Sequence, residues 1–222
     1  MKLTKPFLAS LLIVHSLTGL SQSEKFRINS IPTELTWRIN PIQWKFEKDT
    51  LTIHAGAKTD LFIDPQDEYS VDNSPRALLM PAPPFLLSCR VDLDFAADYD
   101  AGVLMLYAEK NTWAKFCFEF SPEKKPNVVS VVNRQVSDDC NHAVIENNAV
   151  YLRIAGLGNN NYAFHYSTDG RYWKLVRYFS LESKSRMMVG FSAQSPTGEK
   201  CTAKFSSITF DSRKLSDLRN GE

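Results

Sequence analysis

Apolar and polar side chains alternate along most of this chain. Leu51-Thr52-Ile53-His54 alternates, as do the segments Phe85 to Phe95, Ala114 to Phe120, Val128 to Val136, Val150 to Ile154, Tyr162 to Tyr166 and Phe205 to Phe210. In an extended strand, successive side chains point to opposite faces. Each segment therefore predicts a strand with one face in a core and the other outward. Turn residues punctuate them. Lys48-Asp49 predicts a hairpin, Gly158-Asn159-Asn160-Asn161 a turn, and Asp169-Gly170 a hairpin turn between Tyr166 and Trp173. Pro81-Ala82-Pro83-Pro84 stops one segment before a long strand begins. No amphipathic helical run of about ten residues or more interrupts the series. More than about ten short strands in one chain predict an all-β fold, a two-sheet antiparallel β-sandwich or jelly roll. No linker or repeat divides the chain, so one domain is expected over residues 22–222. Its polar end, after about residue 211, is expected to fray, with a short helical turn at Lys214 to Leu218.

The first segment stands apart from this pattern. Lys2 and Lys5 precede the short apolar run Phe7 to Val14, and Gly19 and Ser21 are small residues ahead of Gln22. This is the layout of a secretory signal over residues 1–21, and the run is too short for a bilayer span of ~20 residues. The chain is expected to be exported, to the periplasm or outside the cell. No later stretch reaches spanning length.

Composition changes the picture little. The 222 residues carry 26 Lys plus Arg against 25 Asp plus Glu. Removing residues 1–21 leaves 24 basic and 25 acidic side chains. Such a balance supplies no footprint for nucleic acid and no polybasic membrane patch. Four cysteines, Cys89, Cys117, Cys140 and Cys201, show no CxxC spacing. An exported chain permits disulfides, but Cys89 and Cys201 fall on apolar faces and read equally as small buried hydrophobes. Pairing among the four stays open.

Several phrases, in order, resemble one family. They include Trp44-Lys45-Phe46, Thr59-Asp60-Leu61-Phe62, Tyr99-Asp100-Ala101-Gly102-Val103 and Trp113-Ala114-Lys115-Phe116-Cys117-Phe118-Glu119. Ser130-Val131-Val132-Asn133-Arg134, Ser137-Asp138-Asp139, Ser167-Thr168-Asp169-Gly170 with Trp173, and Ala193-Gln194-Ser195-Pro196-Thr197-Gly198 follow. This set is similar to the regulation-of-enolase-like family, a domain of unknown function. The resemblance runs from about Thr33 to Phe210 and implies a concanavalin A-like jelly roll of the lectin/glucanase superfamily. Sandwiches of that kind include lectins, glycan-binding modules, modules of some xylosidases, and glucanases. Fold alone does not fix function.

Alternation also sorts side chains by face. Trp113, Lys115, Cys117 and Glu119 point one way, and Ala114, Phe116, Phe118 and Phe120 the other. Gly190, Ser192 and Gln194 share a face, as do Ser130, Val132 and Arg134. A curved sheet is expected to gather Trp113, Lys115, Glu119, Arg134 and Gln194 on its concave side, with Asp60 and Asp138 as further ligand-binding candidates. An aromatic ring beside charged and amide groups suits a sugar, whose C–H face stacks while its hydroxyls are hydrogen-bonded. The expectation is carbohydrate binding on this face, without nucleic acid or a membrane span.

Two other readings stay open. A glycan hydrolase needs two carboxylates, here Glu119 with Asp138 or Asp60. The Glu-x-Asp-x-x-Glu arrangement of the superfamily's glucanases is absent, because Lys115 and Cys117 stand before Glu119. A protein-interaction domain without a small ligand is the other. No cofactor is required and no metal set is evident, since the histidines lack ligand spacing. Oxygen ligands for Ca²⁺ are available at Asp98, Asp100 or Asp138-Asp139, but no EF-hand pattern accompanies them.

Overall fold

A computed structural model describes residues 24–222; the expected export signal lies outside the described residues. Seventeen strands follow in chain order. They begin with β1 (Lys25–Phe26), β2 (Leu35–Ile39), β3 (Gln43–Glu47), β4 (Thr50–Gly56), β5 (Leu61–Ile63) and β6 (Ser70–Asp72). Next are β7 (Arg76–Leu79), β8 (Phe85–Leu93), β9 (Ala101–Glu109), β10 (Thr112–Phe120), β11 (Pro126–Arg134) and β12 (Val136–Val144). The last are β13 (Ala149–Gly158), β14 (Asn161–Ser167), β15 (Lys174–Ser180), β16 (Met188–Gln194) and β17 (Lys200–Asp211).

Two antiparallel sheets form the sandwich. One has eight strands in the order β1-β2-β7-β16-β9-β10-β11-β12, the other seven in the order β15-β14-β13-β8-β17-β4-β3. Their facing sides bury one core, with Phe116 stacked on Phe164 and Phe191 edge-on to Phe205. The turns follow the expected chemistry. Lys48 and Asp49 both have positive φ and join β3 to β4. Asp169 accepts hydrogen bonds from the backbone N–H groups of Arg171 and Tyr172, while Gly170 takes φ 75°.

The remaining pair, β5 and β6, forms a hairpin laid over the outer face of the eight-stranded sheet. It is clipped at both ends. The Ile63 N–H donates to Ser137 Oγ on β12, and the Asp60 carbonyl accepts from the N–H groups of Asn73 and Ser74. Beneath it a second apolar cluster forms from Leu61, Leu78, Val103, Met105, Trp113 and Cys117. β9 is thereby buried on both faces, and its sequence runs apolar without alternation.

Two expectations need correction. Val128 to Val136 is not one strand: Gln135 takes φ 75° and turns the chain from β11 into β12. The chain after Asp211 is not a frayed tail and forms no helical turn at Lys214 to Leu218. Its Leu215 and Leu218 pack on Leu86, Ala155 and Ala163, on the outer face of the seven-stranded sheet. His165 Nε2–H donates to the Leu218 carbonyl at 2.8 Å, and Arg153 Nη1 to the Gly221 carbonyl at 2.6 Å. The pairing that the sequence left open is also answered: the four cysteines are free. Cys89 and Cys201 lie in the main core and Cys117 in the second cluster, where burial pushes each thiol pKa up.

Truncation after Asp211 is therefore expected to destabilise the sandwich by about 2–4 kcal/mol, through uncovered apolar area and lost hydrogen bonds. Chemical denaturation of the truncated chain measures this, and an unchanged midpoint contradicts the docking.

Candidate functional site

The outer face of the eight-stranded sheet is read from its ladders, since partners across an antiparallel pair share a face. Lys115 on β10, Val131 on β11 and Asp139 on β12 stand in one row. A parallel row holds Gln194 on β16, Ala101 on β9, Glu119 on β10 and Asn127 on β11. The hairpin covers part of this face and leaves a cleft of about 540 Å³ beside it. Glu119, Asp139, Gln194 and Lys115 face the cleft from the sheet; Lys58, Asp60, Phe62 and Tyr69 come from the hairpin and the segment before it; Tyr99, Pro196 and Thr197 from adjoining loops. A cleft of this size suits a small ligand.

Lys115 is the floor of the cleft. It is only 3% exposed, and its Nζ donates to Asp60 Oδ1 at 3.0 Å and to Gln194 Oε1 at 2.9 Å. Gln194 is in turn fixed, because its Nε2 donates to the Tyr99 carbonyl at 3.3 Å. Burial is the largest influence and weighs against the ammonium, but the Asp60 charge and hydrogen bond, with Cys117 and Glu119, together outweigh it, and the Lys115 pKa sits above its usual value. An ammonium has three donors, so one remains beyond these two partners.

Glu119 behaves in the opposite way. Burial pushes its pKa up to about 8; Lys115 pulls it down, and Asp139 and Asp60 push it further up. Its carboxyl takes no hydrogen bond from another described residue and at neutral pH keeps its proton. Asp139 is also raised, first by burial of its carboxyl. Two exposed rings, Tyr69 (52%) and Tyr99 (41%), stand at the rim, and Tyr69 stacks on Phe62 at 5.7 Å.

The structure brings Asp60, Lys115, Glu119 and Gln194 together. Trp113 shares their sheet face but is fully buried under the hairpin, its Nε1–H spent on the Lys110 carbonyl, so it cannot present a ring to the cleft. Arg134 is placed elsewhere. Trp113 pairs with Asn133, which puts Arg134 on the opposite face, where it donates to the Ser180 carbonyl. Asp138 pairs with Val132, the core-facing residue, and bonds Arg177 of β15 at 3.1 Å. Its neighbour Asp139, in register with Val131, is the cleft carboxylate. Its place depends on the register across the turn at Gln135, which alternation within a strand does not show. Nothing in the sequence signalled Tyr69, whose position depends on the hairpin folding back. Asp98 is engaged by Lys124, and Asp100 accepts from the Ala96 and Ala97 N–H groups and Ser195 Oγ. Among the described residues no three His, Cys, Asp or Glu side chains converge as a metal site.

The protonated Glu119 gives a signed prediction. In the folded chain it holds a proton to about pH 8, whereas a Glu in the unfolded chain ionises near 4.5. Stability is then lost as pH rises through this window. Glu119→Gln is expected to stabilise the fold by about 1–3 kcal/mol at pH 8, with a higher melting midpoint, and by little at pH 4.5. Melting curves across that range check it, and a gain independent of pH contradicts it.

Comparison with known proteins places the chain. The model of the family described as "Protein of unknown function (DUF1349)" matches residues 37–213, and the chain belongs to that family. No curated protein matches the sequence. The fold is similar to a functionally unknown protein from Saccharomyces cerevisiae, at TM-score 0.74 and 21% identity over 82% of this chain and 97% of that one. It is also similar to the GH43 protein BlXynB from Bacillus licheniformis, at 0.63 and 16% over 81% of this chain but 36% of that one. The carbohydrate-binding module CBM66 from Bacillus subtilis matches at 0.50 and 12%, over 79% and 95%. At these identities the likeness is one of fold. Among the described residues no helix is long and apolar enough to cross a membrane.

Proposed function

We propose that this member of the family is a non-catalytic carbohydrate-binding domain, with its ligand in the cleft between the β5–β6 hairpin and the eight-stranded sheet. The observation that carries the reading is the fixed Lys115–Asp60–Gln194 group beside Glu119, under the exposed rings of Tyr69 and Tyr99. Held side chains cost little ordering on binding, and rings with adjacent hydrogen-bonding groups match a sugar's mixed surface. The likeness to a carbohydrate-binding module and to a GH43 protein supports the class of ligand. Export, resting on residues 1–21, is part of the same proposal and would bring the domain to extracellular or periplasmic glycans.

One observation favours a second reading. A glutamic acid protonated at neutral pH is what a glycosidase needs as general acid. Asp138 is not available as its partner, being outside the cleft. Asp60 is tied to Lys115, which suits a positioned binding group better than a nucleophile.

A glycan array followed by titration calorimetry tests the proposal on residues 22–222. We expect a saturable glycan, weakened about tenfold or more by Tyr99→Ala or Tyr69→Ala, as ~1.4 kcal/mol of stacking requires. Glu119→Gln should retain binding, with no glycan cleaved by either protein. Cleavage that disappears in Glu119→Gln favours the hydrolase, and no binding across the array overturns both.

A further inference from the structure

The segment after β17 is held against the seven-stranded sheet at two points. At the first, His165 on β14 is 0% exposed and its Nε2–H donates to the Leu218 carbonyl. A carbonyl only accepts, so this bond places the proton of the neutral ring on Nε2 and leaves Nδ1 with a bare lone pair. Nδ1 is buried and has no hydrogen-bond partner among the described residues. At the second point stands Arg153, the partner of His165 in the β13–β14 ladder. Its guanidinium lies 3.6 Å over the Trp173 ring, its Nε–H donates to Ser88 Oγ, and its Nη1 donates to the Gly221 carbonyl. Gly221 fits this seam closely. It takes φ 72°, and a Cβ there would stand 2.9 Å from Trp173 Cβ and 3.2 Å from His165 Cδ2. The segment is also tied to itself, since the Ser216 and Asp217 N–H groups donate to the backbone oxygen of Glu222.

We propose that this segment is an acid-sensitive strap: it docks on the neutral His165 ring, and protonation of that ring releases it from the sheet. A second proton on the ring lands on Nδ1, where no acceptor awaits it. It also puts an imidazolium beside the Arg153 cation in the same buried seam. Once the segment lifts away, Leu218 and Gly221 no longer cover the ring, and water hydrates the imidazolium. The docked state therefore takes the neutral ring alone, while the open state takes either form. Release uncovers Leu86, Ala155 and Ala163, on the side of the sandwich opposite the cleft.

The charged groups around His165 come from several elements. They are Arg153 from β13, Asp169 from the turn after β14, Asp211 from the end of β17, and Arg213 and Asp217 from the segment itself. β15 and β8 contribute the uncharged Leu175 and Ser88. Of the charges, Arg153 is the one that acts on His165, and Arg213 and Asp211 act in turn on Arg153, with opposite signs. Burial lowers the His165 pKa most; the Leu218 carbonyl raises it, Arg153 lowers it, and the balance lies below the ordinary value. The open ring keeps a value near 6.5. Well above that pH both states are neutral and docking carries no penalty; below it the open state gains a proton that the docked state does not, and docking weakens. With the docked ring neutral throughout, the loss between pH 7.5 and pH 5.0 is about 30-fold, or ~2 kcal/mol.

Hydrogen exchange at pH 7.5 and pH 5.0, read by mass spectrometry on residues 22–222 and corrected for the intrinsic rate at each pH, tests the strap. Peptides covering residues 212–222 are expected to lose protection about tenfold or more at pH 5.0, while those from β8, β13 and β17 keep theirs. A second reading needs no variant: in a nuclear magnetic resonance titration the His165 ring signal should shift over the same pH range in which protection is lost. His165→Gln keeps a neutral donor for the Leu218 carbonyl and should remove the pH dependence. Gly221→Ala should open the segment at both pH values, with circular dichroism showing the sandwich intact. The inference is overturned if the segment stays protected at pH 5.0, if protection is lost without a shift of the His165 signal, or if a folded His165→Gln loses it as the native chain does. Equal loss in the core strands overturns it too, because the acid would then be unfolding the sandwich as a whole.

Discussion

A lysine 3% exposed to solvent must be paired, and the organisation of this molecule's outer face follows from how Lys115 is. Its place on β10 is set by alternation, between the core-facing Ala114 and Phe116. Its partner cannot come from the neighbouring strands, whose row positions are Met105 and Val131. Asp60 reaches it instead from the chain ahead of β5. For the carboxylate to arrive there, the hairpin must lie across the sheet, and in doing so it covers Leu78, Val103 and Trp113. One ion pair, one apolar cluster and one cleft wall are thus the same structural event.

The cleft is electrostatically divided. Around Lys115 the charges are matched, and the amide of Gln194 links that pair to the loop at Tyr99. Around Glu119 they are not, and the carboxyl keeps a proton at the expense of stability toward pH 8. Sites that carry function commonly hold such perturbed groups. On the opposite side of the sandwich the last residues close the seven-stranded sheet, where the Leu218 and Gly221 carbonyls accept hydrogen bonds from His165 and Arg153.

How much of this could be read from the sequence depended on how many layers a residue's environment involved. β10 is buried on both faces, but its outer face carries Lys115 and Glu119 between core-facing apolar residues, so the alternation of residue types made its two faces legible. β9 is covered on both sides, so its apolar run carried no period to read. Arg134 and Asp138 were misplaced because faces within a strand are visible in a sequence, but the register between strands is not. A single residue of phase, set by the turn at Gln135, exchanged Asp138 for Asp139. Trp113 was placed on the right face but not beneath a cover, and Tyr69 depends wholly on that cover. The last residues looked polar because only Leu215 and Leu218 carry their docking.

The claim that this ion pair organises the cleft is tested most directly by a double-mutant cycle on Asp60→Asn and Lys115→Met, read by chemical denaturation. The account predicts a coupling of at least ~1.5 kcal/mol, with the double variant no less stable than either single one. Additive losses with coupling near zero would contradict it, because the hairpin would then be held by its apolar contacts alone.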